Sequence, residues 1–144
     1  MLLTACSSRV DLEAEKKTII SMLQMERKAH FDRNVELFVS EFADSMISVN
    51  KGEVSIDAQN LHKERIGKYF DKVKFIEWDD VAEPIIRFSE DGSLAYAIIQ
   101  KEVILTYVDS IGNPRIDTAH YAWSSIYRKR DSEWKIECNI STNK

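Results

Sequence analysis

The sequence predicts an α+β domain in which about three N-terminal helices pack on one face of a curved antiparallel β-sheet. Two observations lead there. Helix-favouring residues with apolar side chains three and four apart fill most of the first half, and the second half is a succession of long strand-type segments joined by short turn sequences. At 144 residues the chain has room for one core and not for two. Residues 1–10 therefore read as a signal remnant and tether, and residues 11–144 as a single domain.

The first helix is expected from about Asp11 to Asp32, with Ile19, Met22, Leu23, Glu26, Ala29 and His30 on one face, so that two ionisable groups interrupt an apolar stripe. Asn34 caps a second, short helix running through Phe42. A strand at 45–50 ends at Lys51-Gly52. A third helix is expected from Ser55 to Phe70, with Asp57 near its start and either Leu61, Arg65 and Tyr69 or Ile66 and Phe70 facing inward. The remaining segments read as strands over 72–88, 94–108, 116–129 and 134–141, joined by turns at Glu90-Asp91-Gly92-Ser93, at 109–115 and at Arg130-Asp131-Ser132-Glu133. Pro84 cannot donate to a strand ladder and marks an edge or bulge.

Composition narrows the function. A formal net charge of -4 gives no broad cationic surface, so no nucleic-acid partner is expected. The two cysteines, Cys6 and Cys138, exclude a disulfide scaffold, and neither belongs to a pair spaced for zinc, haem or thioredoxin-type chemistry. His62 and His120 lack a second ligand at useful spacing. No metal and no cofactor are expected.

Met1-Leu2-Leu3-Thr4-Ala5-Cys6-Ser7-Ser8 resembles the lipobox that ends a bacterial lipoprotein signal: small residues before the cut, then a cysteine whose thiol takes the lipid. The basic and fully apolar parts of such a signal do not precede Cys6. On this reading the protein is exported and held at the cell envelope by a lipid on Cys6, its only link to a membrane; otherwise it is cytoplasmic.

Asn34-Val35-Glu36-Leu37-Phe38 running into Phe42-Ala43-Asp44-Ser45, the strand to Asn50, and a closing Arg128 to Ile136 segment resemble the nuclear transport factor 2-like superfamily, nearest its SnoaL-like and calcium/calmodulin-kinase-association-like branches. The likeness spans about Leu12 to Ser141. It implies a cone-shaped fold in which the sheet wraps the first helix and leaves a pocket. The superfamily includes ketosteroid isomerase, cyclases, dehydratases and non-catalytic binding modules, and its members often dimerise through the outer sheet face. Counting from the second-helix cap, the isomerase's base matches Asn50, its oxyanion tyrosine matches Glu26, and its buried acid falls near Ser125 or Ile126. An amide is no base, so steroid isomerisation is not expected.

Symmetric turning about Asp131-Ser132 pairs Tyr127 with Ile136, Ser125 with Cys138 and Trp123 with Ile140, and sends these residues and Tyr121 to the inner wall of the cone. A three-residue turn would instead bring in Ile126, Ser124 and Ala122. The first register buries three aromatics and makes either a mostly apolar pocket or a filled core. Cys138 reads as a small buried hydrophobe. On the strand carrying Gln100-Lys101-Glu102, alternation sends either Gln100 and Glu102 or Lys101 into the cone. Glu26 and His30, four apart on a helix, form either a structural pair or a catalytic one in which the carboxylate fixes the imidazole tautomer. Asn50 either donates to a ligand carbonyl or caps its strand.

Three functions fit these residues. The first is a non-catalytic envelope module binding a small, largely apolar ligand or a partner. The second is a SnoaL-like cyclase, dehydratase or hydrolase with His30 as base, Glu26 as its orienting partner, and Asn50 or Tyr127 polarising a carbonyl. The third is a homodimeric interaction module working through its outer sheet face. A hollow apolar cone marks a binder, a polar-ended cone with His30 and Glu26 in contact marks an enzyme, and a filled cone marks an interaction module.

Overall fold

The computed structural model describes residues 10–143, so Cys6 lies outside the described residues. Helix α1 (Leu12–Asp32) starts where Asp11 Oδ1 accepts from the backbone N–H of Glu13 and Ala14, and stops where Arg33 turns left-handed at φ 51°. Its buried stripe is Ile19, Met22, Leu23, Ala29 and His30. Asn34 Oδ1 accepts from Leu37 N–H and begins α2 (Val35–Val39).

The second helix is shorter than expected, because Phe42 already belongs to strand β1 (Phe42–Asn50). A tight turn with Lys51 at φ 51° and Gly52 at φ 80° folds the chain into β2 (Glu53–Ala58), which pairs antiparallel with β1. Residues 55–58, expected in the third helix, are thus strand. Val54 and Ile56 are β-branched and alternate with Ser55 and Asp57, and that period of two prevails over the helical reading. Asp57 ends the hairpin, held by Ser55 Oγ at 2.8 Å and Arg65 Nη1 at 2.6 Å. Helix α3 (Gln59–Phe70) follows, tethered by Gln59 Nε2 donating to the Val39 and Phe42 carbonyls. It turns His62, Ile66 and Phe70 inward and leaves Leu61 and Tyr69 partly exposed.

The rest is strand: β3 (Val73–Asp80), β4 (Ile85–Phe88), β5 (Leu94–Val108), β6 (Pro114–Arg130) and β7 (Glu133–Asn143). Pro84 sits in the break between β3 and β4, where the edge of β5 exchanges one partner for the other. The seven strands form one sheet, ordered β2-β1-β7-β6-β5-β3 with β4 also on β5. The sheet is mixed, not wholly antiparallel, because β1 runs parallel to β7. Helices and inner sheet face share one core, with Ile19, Phe70, Ile99, Val103 and Tyr127 almost fully buried. Glu15 closes α1 onto the last hairpin, accepting from Trp134 Nε1–H at 2.6 Å and from the Lys129 ammonium.

The turn at Asp131-Ser132, both residues at positive φ, gives the Tyr127–Ile136 pair. Beyond it the expected register fails by one residue. Glu137 is an extra residue in β7, so Ile126 faces Cys138, Ser125 faces Asn139 and Trp123 faces Ser141. Cys138 and Ile140 consequently lie on the outer sheet face, and Asn139 and Ser141 on the inner one. On β5 alternation resolves in favour of Lys101, 3% exposed; Gln100 and Glu102 point outward, Glu102 beside His120.

Candidate functional site

A cavity of about 370 Å³ opens between the helices and the inner face of the sheet. Its helical side carries Glu26 and His30 from α1, Phe38 from α2, and His62, Ile66 and Tyr69 from α3. Trp78, Tyr121 and Trp123 add aromatic surface from β3 and β6. Its opposite wall is polar: Ser48 and Asn50 of β1 stand beside Asn139 and Ser141 of β7. Asn50 and Tyr69 are its more exposed members, whereas Phe42, Met46 and His30 are buried at its base.

His30 is packed among rings. It stacks on Trp78 with centroids 3.7 Å apart and meets Phe38, Phe70 and Phe75 edge-on at 5.0–5.3 Å. Burial drives its pKa down to about 4, against a raising effect from the hydrogen bond to Glu26, so the ring is neutral at physiological pH. Nδ1 lies 2.8 Å from the backbone carbonyl of Glu26; the neutral ring donates there and leaves the Nε2 lone pair free. The tautomer is therefore held by the main chain of Glu26, not by its carboxylate as the four-residue spacing suggested.

The Glu26 carboxyl makes no hydrogen bond or ion pair among the described residues. Burial pushes its pKa up to about 7, with Lys101 pulling the other way. Lys101 is itself paired with Asp80 at 2.6 Å and also lines a second cavity of about 320 Å³, between α1 and the β3–β4 connection. Glu41, just before β1, is 4% exposed; burial and then the charge of Glu26 raise it to about 8, and its Oε1 has no partner among the described residues.

Of the residues singled out from sequence, Glu26, His30, Asn50, Tyr121 and Trp123 line the cavity together. Ser125, 2% exposed, instead donates its hydroxyl to Asn139 Oδ1 at 2.7 Å and so fixes a cavity-lining amide from behind. Tyr127 is fully buried in the core, its phenol held protonated by burial and by Glu26 and Glu41. Cys138, Gln100 and Glu102 lie away from the cavity. His62, Glu41, Asn139 and Ser141 were missed. His62 shares the four-residue spacing of Ile66 and Phe70, a signal that was available; Glu41 is one carboxylate inside the apolar run from Phe38 to Phe42. No group of three metal-ligating side chains converges among the described residues.

No family model and no curated protein matches the sequence. Solved structures do resemble it. A ketosteroid isomerase-like protein from Erwinia carotovora atroseptica superposes with a TM-score of 0.69 at 14% identity, over 88% of this chain and 94% of that one. An NTF2-like protein from Cytophaga hutchinsonii gives 0.70 at 13% identity, over 88% and 96%. The association domain of C. elegans CaMKII gives 0.62 at 16% identity, over 90% and 96%. At such identities the likeness speaks for architecture, and it agrees with the helices, strand order and cone described above: the chain has the nuclear transport factor 2-like fold.

Proposed function

We propose that the protein is a homodimeric, non-catalytic binding module that holds one small, largely apolar molecule in the cavity of each protomer. The observation that carries this reading is the cavity end of β1, β7 and β6: elsewhere these strands turn Phe42, Met46, Ile136 and Tyr127 into the core, but here the apolar-in pattern reverses. Strands of a monomeric α+β domain ordinarily turn apolar side chains in and polar ones out. Here Ser48, Asn139 and Ser125 face in while Ile47, Cys138 and Ile126 face out. Ser48 and Asn139 are partly buried at the cavity, where a ligand's hydrogen bonds can replace those of water. Of the outward side chains Cys138 is buried and Ile47 and Ile126 are partly exposed, a surface that a partner would cover.

The outer face supports the dimer. Register carries one row across six strands, Ile85, Ile98, Ser124, Ile140, Val49 and Val54, with Ile85, Ile98, Ile140 and Val54 each at least 45% exposed. A second copy of the same face is the self-complementary solution. An association domain among the structures sharing the fold is in keeping with assembly. Against catalysis stand an imidazole of very low basicity and an amide at Asn50. Glu26 supports the enzyme reading instead, since a carboxyl near pH 7 is poised for proton transfer.

Purification from the native host followed by solvent extraction and mass spectrometry tests the binder. A stoichiometric small molecule is expected, lost in Trp123→Ala; a chemically altered product of an added compound would favour the enzyme. The envelope location remains part of the proposal, resting on the residues around Cys6. The N-terminal peptide of the host protein is expected to carry a diacylglycerol on that thiol, and a free Cys6 would contradict it.

A further inference from the structure

At the base of the cavity His30 and Glu26 present acceptors, while Trp78 Nε1–H is a donor that is buried without a partner among the described residues. His30 spends its only N–H on the Glu26 carbonyl and turns a lone pair towards any ligand. The Glu26 carboxyl has no partner among the described residues, and no lysine or arginine lines this cavity. The charged and titratable groups that bear on Glu26 from the surrounding elements are Lys101 and Asp80 of β5 and β3, Glu41 before β1, and Tyr127 of β6. The single cation among them is already engaged by Asp80 at 2.6 Å. Once Glu26 is ionised, a ligand carboxylate or carbonyl at this end meets acceptors. A protonated amine, with three N–H donors and no acceptor, matches them, and the ring of Trp123 offers the cation a favourable quadrupole.

We propose that the base of the cavity takes the protonated amine of a small aromatic or aliphatic amine, with Glu26 as its counter-ion, His30 Nε2 as a second acceptor, and Trp78 and Trp123 against the apolar body. This rests on the reading of the cavity as a ligand site and names the chemical class of what fills it. An ammonium ion bound there stabilises the ionised carboxylate, so binding at neutral pH releases protons from Glu26.

Calorimetric titration of the full chain with tryptamine, tryptophol and indoleacetate tests it, because the three share one ring system and differ in carrying an ammonium, a hydroxyl or a carboxylate. At about pH 8, tryptamine is expected to bind at least about tenfold more tightly than tryptophol, with indoleacetate weakest. The advantage should shrink towards about pH 5.5 as Glu26 takes up its proton, while tryptophol affinity stays flat. Glu26→Gln should erase the advantage and leave tryptophol binding intact; should that variant not fold, the pH dependence of the wild type decides. Tryptophol or indoleacetate binding as tightly as tryptamine would overturn the amine assignment and leave the cavity a ligand site. Binding by none of the three would overturn both.

Discussion

The inner face of the sheet changes character from β5, where it is mostly apolar, to the cavity ends of β1 and β7, where it is polar, while the outer face carries apolar side chains on all three. On β5, Ala97, Ile99 and Val103 point inward and are fully buried, as a solvated sheet requires. Only three strands away, β1 turns Ser48 into the cavity and Ile47 and Val49 outward, all three partly buried. On the proposed reading, the difference teaches that one sheet serves as core on one side of the molecule and as a two-sided binding surface on the other. The Glu137 bulge is the device in β7: Ile136 faces in, and the extra residue lets Cys138 face out and Asn139 face in.

The strongest way to break that comparison is to change the count downstream of the bulge. Deleting Asn139 would turn Ile140 inward and Ser141 outward and spoil the parallel register with β1, at an expected cost of about 4 kcal/mol or more in urea denaturation. Deleting Glu137 removes the extra residue and keeps every facing. It should cost only about 1–2 kcal/mol, from the lost ion pairs to Arg128 and Arg130 and local readjustment. A Glu137 deletion as damaging as the Asn139 deletion would contradict the assigned register.

The inner face is sharpened by pH. Glu41 holds its proton more tightly folded, near pH 8, than its ordinary 4.5, so its contribution to stability is full below about pH 4.5 and is lost as pH rises through 8. His30 acts in the opposite sense: folded near 4 against 6.5, it contributes fully above pH 6.5 and loses this as pH falls towards 4. Glu41→Gln is expected to match the wild type near pH 5 and to exceed it at pH 9, by about 1–3 kcal/mol in urea denaturation. The smallest effect is expected from Glu15→Gln, which keeps an acceptor for Trp134 Nε1 but drops the partly exposed charge pair with Lys129. A loss of about 1 kcal/mol, read from the same titration, would fit a helix clamp that lies away from both functional faces.

Much of the architecture was legible because it depends on local rules. The Asp11 and Asn34 caps, the apolar stripe of α1 and the turn at Asp131-Ser132 all follow from side chains acting on their own backbone. What escaped depends on partners distant in sequence. The strand character of residues 55–58 comes from pairing with β1, and the Glu137 bulge from satisfying β6 and β1 at once. The site was legible on α1 and β6 and at Asn50 of β1. Asn139 and Ser141 became invisible once the alternation of Trp134, Ile136, Cys138 and Ile140 was carried through without a break, and Glu41 is a charge that sequence rules assign to the surface.

The central claim is that the outer face assembles copies and the inner face holds a ligand, each without the other. Native mass spectrometry of protein from its host reads stoichiometry and bound mass in one spectrum, for the wild type and for Ile140→Asp and Trp123→Ala. The account predicts a ligand-bearing dimer, a ligand-bearing monomer and a ligand-free dimer respectively. A wild type that is a bare monomer, or either substitution removing both assembly and ligand, would contradict it.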